Sequence, residues 1–430
     1  MIQADIANYH KSICCCISAT AAAVRRASGF HSAFSLANYT PLMTDSAPPF
    51  PTGSSPQHGG GESLRFDYVP RPGLMKIMFV NLFLNILTLT IYRFWARTNI
   101  RKHIWACVHI NGQPLEYTGK GSELFKGALI VFCVLGLPAI LAISVVNIAY
   151  GPEHPAVGGI QVMLFLAVSL LWGAAIFRAR RYQLSRTLWR GIRGWLEGSA
   201  TTYSLTYFGA LLARGFTFGW STPVMNLNLQ EQIIGGMRFG DLPFSFKGRA
   251  GPLYPTCALC WFFMLGAIIA GFVLLGAGIG SMFGDNLTQI FGDILSKQSE
   301  PTDEQARSIA AVVGLLFLLF LAYAAVYPMI WAIYTAREMA IFASYTELGT
   351  AQFGLRATAG SIIALTLGNL FLWLLTLGIA APFIQQRLVR YFCDRLEVTG
   401  TVDIDKVLQS KAPLDRTGEG LADALDIGGF

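Results

Sequence analysis

Long apolar stretches recur along this chain and are separated by short polar segments. A helix of ~20 residues rises about 30 Å, which is the thickness of the hydrocarbon core of a bilayer. None of the stretches alternates apolar with polar residues, as the strands of a membrane β-barrel do. The pattern predicts an all-α polytopic membrane protein with about seven transmembrane helices. The predicted spans are 74–95, 126–149, 158–177, 201–225, 254–280, 309–334 and 357–384.

Composition supports this class. Only 13% of the 430 residues are charged and 53% are hydrophobic, with a mean hydropathy of +0.48. A soluble domain carries about 25% charged residues, so the composition excludes disorder and argues against a soluble protein. The span 201–225 is the weakest of the seven, because Arg214 lies within it.

An internal repeat links the first span to the last. The ten residues from Asn81 to Thr90 are identical to the ten from Asn369 to Gly378 at seven positions, which include Asn81/Asn369 and Thr88/Thr376. A third copy carries Thr217 and Gly219 where the last copy carries Thr376 and Gly378, and a proline follows both at one offset, Pro223 and Pro382. Self-similarity of this kind predicts three related units, near 66–119, 196–248 and 353–400. The alternative is that Thr-x-Gly and Pro merely end a helix.

Each unit is predicted to continue from its helix into a small extramembrane β-hairpin. The turn pairs are Asn111-Gly112, Gly240-Asp241 and Thr399-Gly400, and in the first unit the arms are 104–110 and 113–118. Asn-Gly is a strong hairpin signal, because both turn residues need a positive φ. If every predicted helix crosses the membrane, the second unit is inverted relative to the other two.

The residues of the first unit resemble the YjgN-like family of bacterial inner-membrane proteins. The resemblance rests on the run from Asn81 to Arg97, on Asn111-Gly112, and on the Tyr117-Thr-Gly and Glu123-Leu-Phe-Lys-Gly segments, and it covers about 64–405. Thr90 departs from it, because the pattern has glycine at this position. The resemblance implies a location in the inner membrane and a fold built around a domain of unknown function. It implies no reaction, substrate or catalytic residue.

The two ends of the chain read as tails. Residues 1–63 are predicted to be disordered, and the sequence around Met43 favours a translation start there, so that 1–42 would not be translated. The alternative is that 1–42 is an organellar transit peptide, against which Asp5 and the bacterial resemblance weigh. Residues 406–430 are predicted to be a flexible C-terminal tail.

Basic residues predict the orientation. Twenty Lys and Arg residues lie on one side of the seven-span arrangement and ten on the other, which predicts a cytoplasmic C-terminus and an external N-terminus. If 201–225 is re-entrant, the two ends lie on the same side. The basic segments also predict contact with the lipid bilayer and its anionic headgroups rather than with nucleic acid.

Three residues are candidates for a polar or translocation role. Arg214 is the sharpest, because a charge at bilayer depth costs at least about 2.5 kcal/mol and needs a polar cavity or a partner. The predicted spans offer almost no acidic partner for Arg214, and Glu338, at the end of the sixth span, comes nearest to being one. Asn81 and Asn369 are also candidates, although amides in spans more often join helices by hydrogen bonds.

No set of catalytic residues stands out, and neither a cofactor nor a metal is predicted; Cys257 and Cys260 are expected to be small buried residues. The protein is therefore predicted not to be an enzyme. The repeat and Arg214 favour a transporter or channel for a small solute. The alternative is a non-enzymatic membrane scaffold or envelope-maintenance factor.

Overall fold

The computed structural model of the protein describes residues 62–151, 154–283, 303–403 and 407–409. Of the predicted N-terminal tail, only residues 62 and 63 fall in these ranges, so Met43 lies outside the described residues. Most of the predicted C-terminal tail does as well.

The described helices form five antiparallel pairs along the chain, and short pairs alternate with long ones. Each pair runs away from a β-sheet and returns to it. The helices are α1 (Leu74–Leu87), α2 (Arg93–Cys107), α3 (Gly121–Tyr150), α4 (Pro155–Arg186), α5 (Ala200–Phe216), α6 (Thr222–Gly235), α7 (Tyr254–Phe283), α8 (Asp303–Ser344), α9 (Ala359–Leu375) and α10 (Ala381–Cys393).

Four of these helices, α3, α4, α7 and α8, are long and apolar enough to cross a membrane. The first, fourth and seventh predicted spans correspond instead to the short pairs α1–α2, α5–α6 and α9–α10. Helix α1 has 14 residues and α9 has 17, which gives about 21 to 26 Å of rise against a hydrocarbon core of ~30 Å. The described residues thus contain four helices of crossing length where seven were expected, because three of the apolar segments are pairs of shorter helices joined by a turn. We call these pairs the three short hairpins.

A single turn geometry reverses the chain at the tip of each short hairpin. In the third, Thr376 Oγ1 donates to the Leu372 carbonyl (2.7 Å) and accepts the N–H of Ala380 (3.1 Å). Leu377 and Gly378 adopt φ angles of 49° and 84°, and their N–H groups bond to the last turn of α9. The hydroxyl thus supplies the one acceptor that the backbone cannot, and the turn needs no water.

The first two short hairpins repeat this arrangement. The Thr88 hydroxyl bonds to the Leu84 carbonyl (2.7 Å) and the Tyr92 N–H (3.0 Å). In the second, Thr217 makes the matching bonds to Ala213 and Ser221, at 2.7 and 3.1 Å. The residue at the glycine position has a positive φ in all three tips: Thr90 (71°), Gly219 (87°) and Gly378 (84°). Pro223 and Pro382 lie in the first turn of α6 and α10, where the missing N–H carries no penalty.

The strands lie at the opposite end of the helices from these tips. They are β1 (Phe66–Tyr68), β2 (Val108–Ile110), β3 (Gln113–Pro114), β4 (Glu116–Tyr117), β5 (Thr187–Trp189), β6 (Ile192–Leu196), β7 (Met237–Phe239), β8 (Leu242–Phe246), β9 (Thr346–Leu348), β10 (Ala351–Leu355) and β11 (Leu396–Thr399). Neighbouring strands pair antiparallel within two sheets, β1–β3 and β4–β11, and β3 does not pair with β4. Leu115 alone separates β3 from β4, and its N–H bonds to the Val108 carbonyl (3.0 Å). Glu62 and Val402 exchange two backbone bonds of 2.9 Å, so the hydrogen bonding closes into a β-ring.

The hairpin turns agree with the sequence at two of the three predicted positions. Asn111 and Gly112 have φ angles of 49° and 76°, and Gly240 has 58°. The first arm is shorter than predicted, because 104–107 continue helix α2. Strands that follow all three short hairpins lie in one β-ring. The second unit therefore has the same orientation as the other two, whereas the sequence predicted an inverted one.

The protein core lies where the β-ring meets the helices. Alternate strand residues such as Trp189, Phe239 and Leu348 are fully buried, and they pack with Ile234 and Phe342 from the sheet-side ends of α6 and α8. In contrast, the most apolar stretches of α3 and α8 contain no residue buried by protein. Lipid therefore covers most of the crossing helices, while protein packing holds the β-ring to their ends.

This topology predicts the sidedness of three exposed positions. Cysteines introduced singly as Glu116→Cys and Arg249→Cys, in a background without other cysteines, are expected to react with an impermeant maleimide from the same side of the membrane. His154→Cys is expected to react from the other side, because it lies between α3 and α4. The seven-span arrangement places residues 116 and 249 on opposite sides, so labelling of those two from different sides contradicts the fold.

The tip turn predicts a specific destabilisation. Thr376→Val removes the acceptor of the Ala380 N–H in apolar surroundings, and an orphaned donor costs about 1 to 3 kcal/mol. We expect a lower melting temperature in lipid nanodiscs. Thr335→Val is the matched control, because the Thr335 hydroxyl is bonded only to the Trp331 carbonyl of its own helix. Equal melting temperatures for the two variants would show that the tip hydroxyl is dispensable.

Candidate functional site

Arg214 lies one turn before the tip of the second short hairpin, where it is half-buried. Its Nη2 atom donates a hydrogen bond to Oδ1 of Asn226, which lies on the returning helix α6. The guanidinium is thus held inside its own hairpin by an amide.

The Asn226 amide extends the contact to a buried acid. Its Nδ2 atom donates to Oε1 of Glu338 at 2.7 Å, and the Tyr334 hydroxyl donates to the same oxygen at 2.8 Å. Glu338 and Tyr334 are fully buried on the crossing helix α8. Asn226 therefore bridges Arg214 to Glu338, the acid that the sequence offered as its candidate partner.

We call Arg214, Asn226, Glu338 and Tyr334 the polar network. It joins the second short hairpin to a crossing helix. Within it, hydrogen bonds through Asn226 link the Arg214 cation to the buried Glu338 acid. Charged groups at this depth are stable only when they are paired or solvated. A relay of this kind holds two elements in register, and it also has the composition of a proton- or ion-linked site.

The two asparagine candidates lie in other hairpins. Asn81 is buried on α1, and its Nδ2 atom donates to the Ala96 carbonyl of α2 at 3.3 Å. It ties the first short hairpin together. Asn369 is half-buried on α9, and its Oδ1 atom has no hydrogen bond to any residue that the structure describes. The structure does not bring Arg214, Asn81 and Asn369 into one site.

Two clefts lie along the helices. The first, of about 510 Å³, opens between α1 and α2 and is lined by basic and amide side chains that include Asn81. The second, of about 520 Å³, is apolar and lies between the tip end of α2 and helices α3 and α4. Neither Arg214 nor Asn369 lines either cleft.

A further buried ion pair joins the first crossing pair. Arg186 Nη2 contacts Glu123 Oε1 at 2.9 Å, and the Tyr182 hydroxyl donates to Glu123 Oε2 at 2.6 Å. Glu123 belongs to the Glu-Leu-Phe-Lys-Gly segment that the sequence singled out, and the contact gives it a structural role at the sheet-side ends of α3 and α4. Sequence reasoning missed its partners, because they are about 60 residues away.

Asn226 and Tyr334 were also missed. Asn226 is one of four amide side chains on α6, and nothing in the sequence distinguishes it from the other three. Tyr334 carries no signal in sequence. Cys260 is buried as expected and bonds to the Ile330 carbonyl. No group of three metal-ligating side chains occurs among the described residues.

These features define the class of protein. Four long apolar helices with lipid-exposed faces, and three apolar hairpins that turn back, belong to a multi-pass integral membrane protein.

The chain belongs to the family described as bacterial protein of unknown function (DUF898), whose profile matches residues 71–424. The Inner membrane protein YjgN of Salmonella typhimurium is 22% identical over 384 residues, which are 79% of this chain and 89% of that protein. The protein of the same name from Escherichia coli O157:H7 is 28% identical over 162 residues, 37% of this chain and 38% of that protein. The latter match therefore spans less than half of either chain. No solved structure matches.

The comparisons confirm the resemblance to the YjgN-like family and the location in the inner membrane. They assign no activity to the polar network or to either cleft.

The polar network predicts a non-additive pair of substitutions. Arg214→Met is expected to lower the free energy of unfolding by about 1 to 3 kcal/mol, because Glu338 loses the cation at the end of its hydrogen-bond path. Adding Glu338→Gln should recover part of this loss, with a coupling of about 0.5 to 3 kcal/mol in a double-mutant cycle.

Arg356→Met serves as the control, since Arg356 pairs with Glu397 at an exposed site and such pairs contribute at most about 1 kcal/mol. Strictly additive effects of Arg214→Met and Glu338→Gln would mean that the network carries no coupling.

Proposed function

We propose that this protein is a non-enzymatic membrane scaffold or envelope-maintenance factor, whose three short hairpins insert into the inner membrane from one side without crossing it. The observation that carries the proposal is the exposure of apolar side chains at the hairpin tips. Leu89, Phe218 and Leu377 are 85, 82 and 88% exposed. A pore-lining loop would turn its polar backbone toward water, whereas these turns present large apolar side chains outward.

Backbone chemistry supports lipid as the medium around the tips. Lipid offers no hydrogen bonds, so exposed irregular backbone is normally excluded from the hydrocarbon. Here the N–H groups from Thr376 to Ala381 are all bonded within the hairpin, and the other two tips follow the same pattern. The N–H groups of the turns therefore meet the condition for insertion.

Insertion of this kind loads the two leaflets unequally. The crossing helices fill both leaflets, while the short hairpins end before the far surface and add volume mainly to the side next to the β-ring. A protein with three one-sided wedges around four crossing helices is suited to hold membrane shape or to organise lipid. This role requires no reaction and no substrate.

We also infer that the three short hairpins are copies of one unit and that the β-ring faces the cytoplasm. The matching hydroxyl bonds and φ angles at the tips support the first inference. For the second, only Lys297 and Arg307 of the 32 Lys and Arg residues fall in the sequence that joins α7 to the apolar part of α8, and 151–154 contains none. The positive-inside rule then places the β-ring, and both ends of the described chain, in the cytoplasm.

Transport of a small solute is the second candidate, and the polar network favours it. A buried Arg and Glu linked through Asn226 mark an ion or proton path in many membrane proteins. Two observations weigh against it here. The Arg214 side chain is bonded within the protein, and it lines neither of the two clefts.

A deletion strain separates the two functions. We expect it to admit an impermeant dye under osmotic or detergent stress, and wild-type protein to restore the barrier. A double tip variant, Phe218→Asp with Leu377→Asp, is expected to fail, because charges at the tips oppose insertion. Leu408→Asp is the matched control, since Leu408 is an exposed apolar residue near the β-ring rather than at a tip.

Membrane levels of each variant are measured by immunoblot, and Phe218→Ala with Leu377→Ala provides a milder pair if the aspartates prevent accumulation. Full restoration by a tip variant at wild-type level contradicts the scaffold proposal. Sensitivity to one solute without dye entry, unrescued by Arg214→Ala at wild-type level, favours transport instead.

A further inference from the structure

We propose that the cleft between α1 and α2 binds the phosphate of an anionic phospholipid headgroup. The inference concerns this cleft alone and does not depend on the scaffold proposal.

The lining of the cleft is cationic. It has a volume of about 510 Å³, and its charged residues are Arg71, Lys76 and Lys102. No Asp or Glu side chain is among the lining residues, which are completed by Ile77, Val80, Asn81, Asn99, His103 and Ala106. The site therefore concentrates positive charge on both sides of one opening.

These cations are not used elsewhere in the described part of the chain. Lys76 and Lys102 make no ion pair with any described residue, whereas Arg186 and Arg238 elsewhere in the protein are paired. His103 of α2 and Arg71 line the same cleft, so the segment before α1 lies beside α2. Repulsion among three adjacent cations is relieved when an anion binds between them.

The start of α1 adds to this field. Gly73 precedes the helix in a left-handed conformation (φ 110°), and no side chain caps the first turn. Lys76 lies in that turn. Free backbone N–H groups and the positive end of the helix dipole then face the same region as the cationic side chains.

Apolar surface next to the cleft points to a lipid rather than a free anion. Ile77 and Val80 line the cleft itself. Beyond them, Phe79 and Phe83 are exposed along α1 toward the tip. A headgroup in the cleft would therefore place its acyl chains along an apolar helix face, and basic pockets between helices near the cytoplasmic surface are suited to such headgroups.

The other short hairpins lack this pair of lysines. Lys76 lies 12 residues before the tip threonine and Lys102 lies 14 after it. The corresponding residues are Leu205 and Glu231 in the second hairpin, and Ala364 and Arg390 in the third. The second hairpin even carries an acid in the place of Lys102. The site is thus specific to the first hairpin and is not a general property of the fold.

Binding is tested on the full-length protein in detergent with added phosphatidylglycerol, using native mass spectrometry to count bound lipid. Lys76→Gln with Lys102→Gln is expected to weaken phosphatidylglycerol binding by at least about tenfold. Lys120→Gln with Lys247→Gln makes the same charge change at exposed positions outside the cleft, and should weaken it less than about twofold. Phosphatidylcholine provides the neutral-headgroup comparison.

Competition with two soluble compounds, inorganic phosphate and glycerol phosphate, distinguishes a lipid headgroup from a free phosphate as the ligand. The proposal expects neither to displace phosphatidylglycerol at millimolar concentration. Displacement by either compound would assign the cleft to a free phosphate ester and overturn the lipid. Equal phosphatidylglycerol binding by the two double variants, or equal binding of phosphatidylcholine by wild type, would overturn it as well.

Discussion

Every backbone N–H within the hydrocarbon must find its acceptor inside the protein, and this constraint shapes each element of the molecule. The long helices α3, α4, α7 and α8 meet it along their length. The short hairpins meet it at their tips through one threonine hydroxyl each. This hydroxyl accepts the N–H four residues further along, which has no backbone acceptor where the chain reverses. Because the turn is complete in itself, the chain reverses within apolar surroundings and returns to the β-ring, where strand pairing continues to satisfy the backbone.

The same constraint decides where the core and the charges lie. Lipid offers no gain when apolar helices pack against each other, so the crossing helices remain largely uncovered and protein burial concentrates at the β-ring. Buried charged residues form hydrogen-bonded sets. Glu338 accepts hydrogen bonds from Asn226 and Tyr334. Glu123 accepts hydrogen bonds from Arg186 and Tyr182. Both sets attach to a crossing helix, so they fix how the neighbouring helices meet it.

The limits of sequence reasoning are clear at the first hairpin. A hydropathy pattern measures how long a stretch stays apolar, and 74–95 is long enough to span. In the structure this stretch is α1, its tip turn and the first residues of α2, and an apolar turn has no polar break to reveal it. The residues of the turn were visible as a repeat, since Thr88, Thr217 and Thr376 were singled out with the glycine position and the proline, but they were placed within crossing spans. Arg214 was found because it is a charge out of place, while Asn226 was not, because an amide on a polar helix is ordinary.

The sequence by itself determined that this is a multi-pass membrane protein of the inner membrane, and it located the repeated motif that forms the tips, two hairpin turns and the residue whose charge needs a partner. These follow from local composition and from φ preferences, which act over a few residues. Only the tertiary structure decided that three apolar segments turn back, that the strands close through Glu62 and Val402, and that Arg214 reaches Glu338 through Asn226. The ring closure and the contact with Glu338 join residues 112 or more positions apart in the chain, and no local pattern encodes which distant partner completes a hydrogen bond. The tip turns are bonded locally, but a hydropathy pattern does not separate an apolar turn from a continuing helix.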